Sequence, residues 1–322
     1  MTCHNCRIDA PKHGKHRNGL QRYRCSQCGK TFTEPHAEAF HMEMHLEEPQ
    51  GLLAIQLLCE GTSVRTCERI VGLHRNTILE LLLIAARRSE ALLAERIHSL
   101  RVENVQCDEI WGYVFKKQSH RHGAEENFWQ MGDAWCFVGI ERTSKLVLAH
   151  HLGKRTVSSA MQFMRKLAAA TDPNHRYQLT SDGLKAYNYA VGMVLGDRVD
   201  YAQLIKIYAY NTPEDARRYS PPEVVEAIPT PIYGDPDEKQ ICTSHIERQN
   251  LTMRMSIRRL TRLTNAFSKK WDNLRAALAL HFAYYNFCRK HITLRGATPA
   301  MAAGITDHVW SIQELISGNM TA

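Results

Sequence analysis

Three carboxylates in this chain stand where they could do chemistry together. Asp108 lies inside Val105-Gln-Cys-Asp-Glu-Ile-Trp-Gly-Tyr-Val-Phe115, an alternating run of β formers. Asp182 ends a second such run, Tyr177 to Asp182, at the glycine turn of Gly183. Glu247 opens the long stretch from Cys242 to Asn265, which has helical periodicity and neither Pro nor Gly. Counted from Glu247, Asn250, Leu251, Arg254 and Arg258 share one helical face, with Arg248, Arg259 and Arg262 close by. Carboxylates hold divalent cations, and guanidinium groups hold phosphate. Three acids in one place repel one another and raise their own pKa values. Two divalent cations, about 3.5–4 Å apart, relieve that repulsion and serve the attacking and leaving oxygens of an in-line phosphoryl displacement. Magnesium suits an all-oxygen site, and manganese can stand in for it. Glu109 adjoins Asp108 but points to the other face of its strand, so a structural role is expected. Asp133 and Asp197 lie near turns, and Asp235, Asp237 and Glu238 lie in a Pro/Gly-rich loop; none is expected to act.

A second constellation is made of thiols. Cys3 and Cys6 form one Cys-x-x-Cys pair and Cys25 and Cys28 another, 18 residues on. That spacing fits a four-thiolate zinc site, with one structural Zn²⁺ supplying the folding energy that so short a segment cannot find in a core. A redox dithiol would need no second pair. Lys12, Lys15, Arg17, Arg22 and Arg24 fall between the pairs, and residues 1–35 read as a basic zinc ribbon. The other six cysteines are scattered in apolar segments and read as buried thiols.

The elements that must position these groups follow from the pattern. Three strands, 105–115, 135–140 and 145–151, precede a helix capped by Thr156, with Val157, Met161, Met164 and Ala168 as its apolar face. The strand ending at Asp182 and a helix near Lys185 come next. That order is the order of a ribonuclease-H-like α/β domain, a mixed five-stranded sheet with helices, over residues 100–300. In that topology Asp108 and Asp182 are neighbours, and Glu247 approaches from a helix packed on the sheet. The helix after Trp271 turns Leu274, Leu278, Phe282 and Tyr285 toward a core, with His281 a buried or rim histidine rather than a ligand.

Upstream, residues 47–95 carry three helical stretches. Gly61 breaks the first, Ser63 caps the second, Gly72 turns the chain, and the third runs from about His74 to Arg88. This is a helix-turn-helix pattern, although a plain three-helix bundle would give it too. In the helix-turn-helix reading, Arg75, Asn76 and Thr77 open the recognition helix and face base edges. Residues 301–322 form a modest helical tail.

The 322 residues carry a formal net charge of +8 and 44% hydrophobic content, which permits several domains with sizeable cores and favours nucleic acid as partner. No apolar run approaches the roughly 20 residues of a membrane helix. The expectation is a soluble, intracellular protein without a membrane partner.

The segments Cys-Asp-Glu-Ile-Trp-Gly-Tyr-Val-Phe-Lys-Lys (107–117), Ser-Asp-Gly-Leu-Lys-Ala-Tyr (181–187) and His-Ile-Glu-Arg-Gln-Asn-Leu-Thr-Met-Arg (245–254) resemble the three acidic motifs of DDE transposases, and in detail those of the insertion-sequence-one family. Tyr284 to Ile292 and Thr298-Pro-Ala resemble the end of such domains. The resemblance implies a DNA transposase with Asp108, Asp182 and Glu247 as magnesium ligands and Arg254 as a substrate contact. It would cut DNA and join strands without a covalent protein–DNA intermediate. Double-stranded DNA would be its partner, as element ends with inverted repeats and as target. Arg248, Arg258 and the rest of a basic helix to Lys270 would hold phosphates. A homodimer or higher oligomer on DNA, in the bacterial cytoplasm at the nucleoid, is also implied. The alternative is a transposase-derived regulator that binds DNA without chemistry. One departure is the Pro-rich piece from Thr212 to Asp237.

Overall fold

The structure, a computed structural model, describes residues 1–16, 19–34, 44, 46–209 and 224–317. Arg17, residues 212–223 of the Pro-rich piece and residues 318–322 of the tail lie outside them. The described chain divides into two units, Met1–Glu48 and Pro49–Ala322.

The first unit is built on two matching knuckles. In each, the residue after the second cysteine adopts positive φ, Arg7 at 54° and Gly29 at 68°. Its N–H donates to the carbonyl of the first cysteine, Arg7 to Cys3 at 2.8 Å and Gly29 to Cys25 at 3.0 Å. Three short antiparallel strands, β1 (Lys12–Lys15), β2 (Gln21–Arg24) and β3 (Thr31–Thr33), connect and follow them. The Tyr23 ring stacks on Phe32 across β2 and β3.

The second unit begins with α1 (Glu48–Cys59), α2 (Val64–Val71) and α3 (Arg75–Arg96). The expected punctuation is present. Ser63 Oγ accepts from the Thr66 N–H at 3.1 Å, and Gly72 closes α2 in the left-handed region at φ 76°. His74 caps α3, which continues past Arg88 because Ser89 and Leu92 are buried against the rest of the unit.

The sheet follows, with β4 (Asn104–Val114), β5 (Gly132–Glu141), β6 (Val147–Gly153), β7 (Tyr177–Asp182), β8 (Val199–Tyr208) and β9 (Val224–Tyr233). Its order is β6-β5-β4-β7-β8-β9. β4, β5 and β6 are antiparallel neighbours, and β7 and β8 run parallel to β4. This mixed α/β arrangement fits a ribonuclease-H-like fold. The sheet has six strands, not five. β9 comes from the Pro-rich piece, and its prolines, Pro229 and Pro231, are tolerated because it is an edge strand.

Helices α4 (Val157–Ala170) and α5 (Lys185–Val194) pack together on one face. Thr156 caps α4 as expected, but the buried face is Ala160, Phe163, Met164 and Leu167, while Val157 is exposed. Apolar residues surround this helix, and the large Phe163 and Leu167 claim the core in place of the smaller Val157 and Ala168. On the other face lie α6 (Ser244–Ser256) and α7 (Trp271–Phe287). Leu274, Leu278, Phe282 and Tyr285 of α7 join Ile110, Val138 and Met253 in one core cluster. Asn286 donates to and accepts from the backbone of Val147, at 2.9 and 3.0 Å, and so satisfies the outer edge of β6. α3 packs along the other side of α7, which leaves α7 buried almost all round. α8 (Pro299–Ala302) and α9 (Ile312–Ser317) complete the unit, with Leu315 and Ile316 buried.

The expected helix from Cys242 to Asn265 is shorter. It ends at Ser256, Ile257 takes extended angles (φ −103°, ψ 96°), and a 3₁₀ turn covers Arg258–Leu260. Ile257 and Leu260 both enter the core cluster, which a continuing helix could not arrange. Arg258 is therefore off the helical face that begins at Glu247, and no basic helix runs to Lys270.

Candidate metal and phosphoryl-transfer site

β4 and β7 are parallel, and their last paired residues are Cys107 and Ser181. The next residue on each strand is an acid, so Asp108 and Asp182 stand side by side, as the element order led us to expect. Burial pushes Asp108 up to about 8, with the charges of Asp182 and Glu109 adding to it. Asp182 is raised by burial as well. An oxygen of each lies within 4.8 Å of the other and of a Glu109 oxygen.

Glu109 is the surprise. It leaves the opposite face of β4, yet its carboxylate joins the pair. β7 stops at Asp182 while β4 runs on to Val114, so a side chain at this level can reach round the strand end. Its Oε1 accepts from Arg155 Nε at 2.8 Å, and Arg155 in turn lies over the Trp135 ring. Burial and the neighbouring Asp182 raise Glu109 to about 7, against the pull of Arg155. Two adjacent acids, 108 and 109, inside one strand were the available signal.

Glu247 is not among these three. It sits in the first turn of α6, where the Lys206 ammonium and the Thr243 hydroxyl both donate to its Oε1. The α6 residue that reaches the acids is Asn250, whose Nδ2 donates to Asp108 Oδ2 at 2.8 Å. A second anchor escaped the sequence reading. Gln106, on the same side of β4 as Asp108, accepts through Oε1 from the N–H groups of His245 and Ile246 at 3.0 and 3.2 Å. It thus caps α6 from outside, where Thr243 makes no side-chain cap. Gln106→Ala should cost about 1–3 kcal/mol, because buried donors lose their acceptor. Chemical denaturation will show it, and loss of the helix position should lower any activity at the acids as well.

The arginines divide. Arg248 is exposed. Arg254 is half-buried, donates to the Leu260 carbonyl at 3.2 Å, and is lowered to about 10 by burial and by Arg262. Arg75 and Asn76 are exposed at the start of α3, Thr77 is half-buried, and Arg258 is exposed. His281 is buried and neutral, pushed down to about 3 by burial.

The thiols of Cys3, Cys6, Cys25 and Cys28 also converge, all within 4.8 Å of one another. The Lys30 N–H pulls the Cys28 thiol down to about 6, while the hydrogen bond with Cys28 pushes the Cys6 thiol up to about 12. Four sulfurs on two matching knuckles fit a tetrahedral soft-ligand cation, and the half-buried oxygens of Asp108 and Asp182 fit a hard one. Among the described residues no helix is long and apolar enough to cross a membrane.

No family model and no curated protein matches the chain. Among solved structures it is similar to the Mos1 strand transfer complex, at 12% identity over 53% of this chain and 62% of that one, with a TM-score of 0.20. The Mos1 transposase paired-end complex with left transposon end follows at 12% identity over 49% and 60%, and a pre-cleavage Mos1 transpososome at 11% over 49% and 61%, both with a TM-score of 0.20. The chain thus spans about three fifths of the length of the structures it matches.

Proposed function

We propose that this chain is a DNA transposase of the DDE class that cuts and joins DNA by metal-dependent phosphoryl transfer. The observation that carries the reading is the pair Asp108 and Asp182, half-buried side by side where the parallel pairing of β4 and β7 ends, with α6 docked on Asp108 through Asn250. Nothing in a folding core requires two acids held there at a cost in charge repulsion. In this reading Asp108, Asp182 and Glu247 hold magnesium, which when bound activates the attacking oxygen and stabilises the leaving oxygen. Asp108 keeps its proton near neutral pH, and a bound cation would favour the ionised carboxylate. Asn250 fixes the orientation of the Asp108 carboxylate, and Gln106 fixes the helix that carries Asn250 and Glu247. Glu247 is preferred to Glu109 as third ligand because its side chain is 44% exposed and its partners, Lys206 and Thr243, sit at the open end of α6, whereas Glu109 is 1% exposed and paired with Arg155. Residues 1–35 act as a zinc ribbon on Cys3, Cys6, Cys25 and Cys28, and residues 47–95 act as a helix-turn-helix with Arg75, Asn76 and Thr77 toward DNA. Membership of the insertion-sequence-one family, self-association on DNA and a place in the bacterial cytoplasm belong to the same proposal.

The test is a labelled duplex carrying the DNA that flanks the protein's own gene. Glu247→Gln should lose cleavage by on the order of 10²–10³-fold, with DNA binding retained. Cleavage that survives in Glu247→Gln and disappears in Glu109→Gln would hand the third place to Glu109. Tight binding with no cleavage in any divalent metal would make the chain a regulator.

A further inference from the structure

A cleft of about 940 Å³ opens between the three N-terminal helices of the second unit and the segment after α6. Arg65 and Arg75 line one wall, and Arg258, Arg259 and Lys269 the other. Among the described residues no aspartate or glutamate lines it. Five cations facing one space without a counter-charge repel one another, so the cleft is built for an anion. The deepest of them points to a ligand independently. Arg259 donates through Nη1 to Ser268 Oγ at 3.0 Å, while its Nη2 is shut off from solvent and has no hydrogen-bond partner. Burial lowers Arg259 only to about 10, so it remains charged at neutral pH. An unsatisfied buried guanidinium N–H costs stability that an anionic oxygen would restore. His281 also lines the cleft, with both ring nitrogens buried and unpartnered.

The walls touch at Gly61. Gly61, between α1 and α2, has φ +80°, and a Cβ there would stand 2.7 Å from the Met255 carbonyl oxygen. The end of α6 therefore rests directly on the turn of the helical segment, and Ser256 and Ile257 continue into the cleft lining. A ligand in the cleft touches the helix that carries Asn250 and Glu247.

We propose that this cleft grips the phosphodiester backbone of DNA, with Arg65, Arg259 and Lys269 as contacts added to Arg75 and Arg258. The proposal rests on the transposase reading and places a stretch of its substrate. Near neutral pH a free phosphate ion carries at most two negative charges and would leave most of the five cations unmatched. A backbone supplies one charge per phosphodiester along its length and matches them.

The test uses the full chain with bound zinc and a fluorescent duplex of random sequence, with anisotropy read over a range of salt. For duplex DNA the slope of log K against log salt is about −0.9 for each phosphate contact. Arg65→Ala with Lys269→Ala, two exposed positions, should flatten the slope by about two. The control pair, Arg165→Ala with Arg101→Ala, lies outside the cleft lining and should leave the slope as in wild type. Thermal melting should be the same for both pairs. Equal slopes in the two double variants would overturn the cleft assignment while leaving the transposase reading intact. A wild-type protein that binds no DNA would overturn that reading and the cleft together. Displacement of the duplex by inorganic phosphate, at an ionic strength matched with chloride, would show a free-phosphate site and overturn the polymer assignment.

Discussion

Asp108→Asn will abolish metal-dependent cleavage and make the metal-free protein more stable. The loss should be on the order of 10³-fold, since the variant cannot hold a cation beside Asp182. The gain follows from proton linkage. The Asp108 carboxyl is pushed up to about 8 in the folded chain, mainly by burial, from an ordinary value near 3.8. Between those values the folded state keeps a proton that the unfolded state gives up, so stability falls as pH rises through the window. Below about pH 4 the carboxyl is protonated in both states, and the difference vanishes. Asparagine carries no charge, so above pH 8 the variant should be more stable by up to about 6 kcal/mol. Its amide also has a partner waiting, because Asn250 Oδ1 is buried and unpaired beside it, and a turn of the Asn250 amide joins the two. Glu109, raised to about 7, leaves a shallower slope of the same sign in the variant. Thermal melts in chelator from pH 4 to 9 will read this directly. Magnesium should then raise the melting temperature of wild type and leave the variant unmoved. Equal melting curves at pH 9 would mean that Asp108 is not under the strain its surroundings impose.

Removal of zinc will unfold the first unit and spare the second. Among its described residues only Cys3, Ala10 and Cys25 are buried, so the core of this unit is its cysteines. Structural zinc in such sites contributes about 10–16 kcal/mol near neutral pH, far more than this unit could find elsewhere. Cys25→Ser, or a strong chelator, should expose the amides of Gln21–Arg24 and Thr31–Thr33 to rapid hydrogen exchange. The amides of β4 and β7 should keep their protection. Metal analysis of the purified protein should return one zinc per chain. Full protection of β2 and β3 in a zinc-free sample would show that the knuckles fold unaided.

Much of this was legible in the sequence because it is local. The strand that ends at Asp182, the Ser63 and Thr156 caps and the left-handed turn at Gly72 each follow from a few neighbouring residues. The pairing of Asp108 with Asp182 needed only element order and the rule that β4 and β7 are parallel neighbours. What escaped depends on distant partners. β9 was hidden by Pro229 and Pro231, which mark a loop unless the strand lies at an edge. The end of α6 at Ser256 was hidden because Ile257 and Leu260 leave the helix to reach a core made by β4, β5 and α7. Gln106 looks like an ordinary strand residue until α6 arrives above it. The basic cleft joins Arg65 to Lys269 across most of the chain, which no local window contains.

The most direct test of the central claim is strand joining itself. The substrate is a duplex of the flanking DNA, already nicked to expose a 3′ hydroxyl at the element end, with a second duplex as target and magnesium present. Wild type should give a joined product, and Asp182→Asn, or a 3′-deoxy end with the wild type, should give none. Joining that persists in Asp182→Asn, or no joining by wild type in either magnesium or manganese, would contradict the assignment of these acids to phosphoryl transfer on DNA.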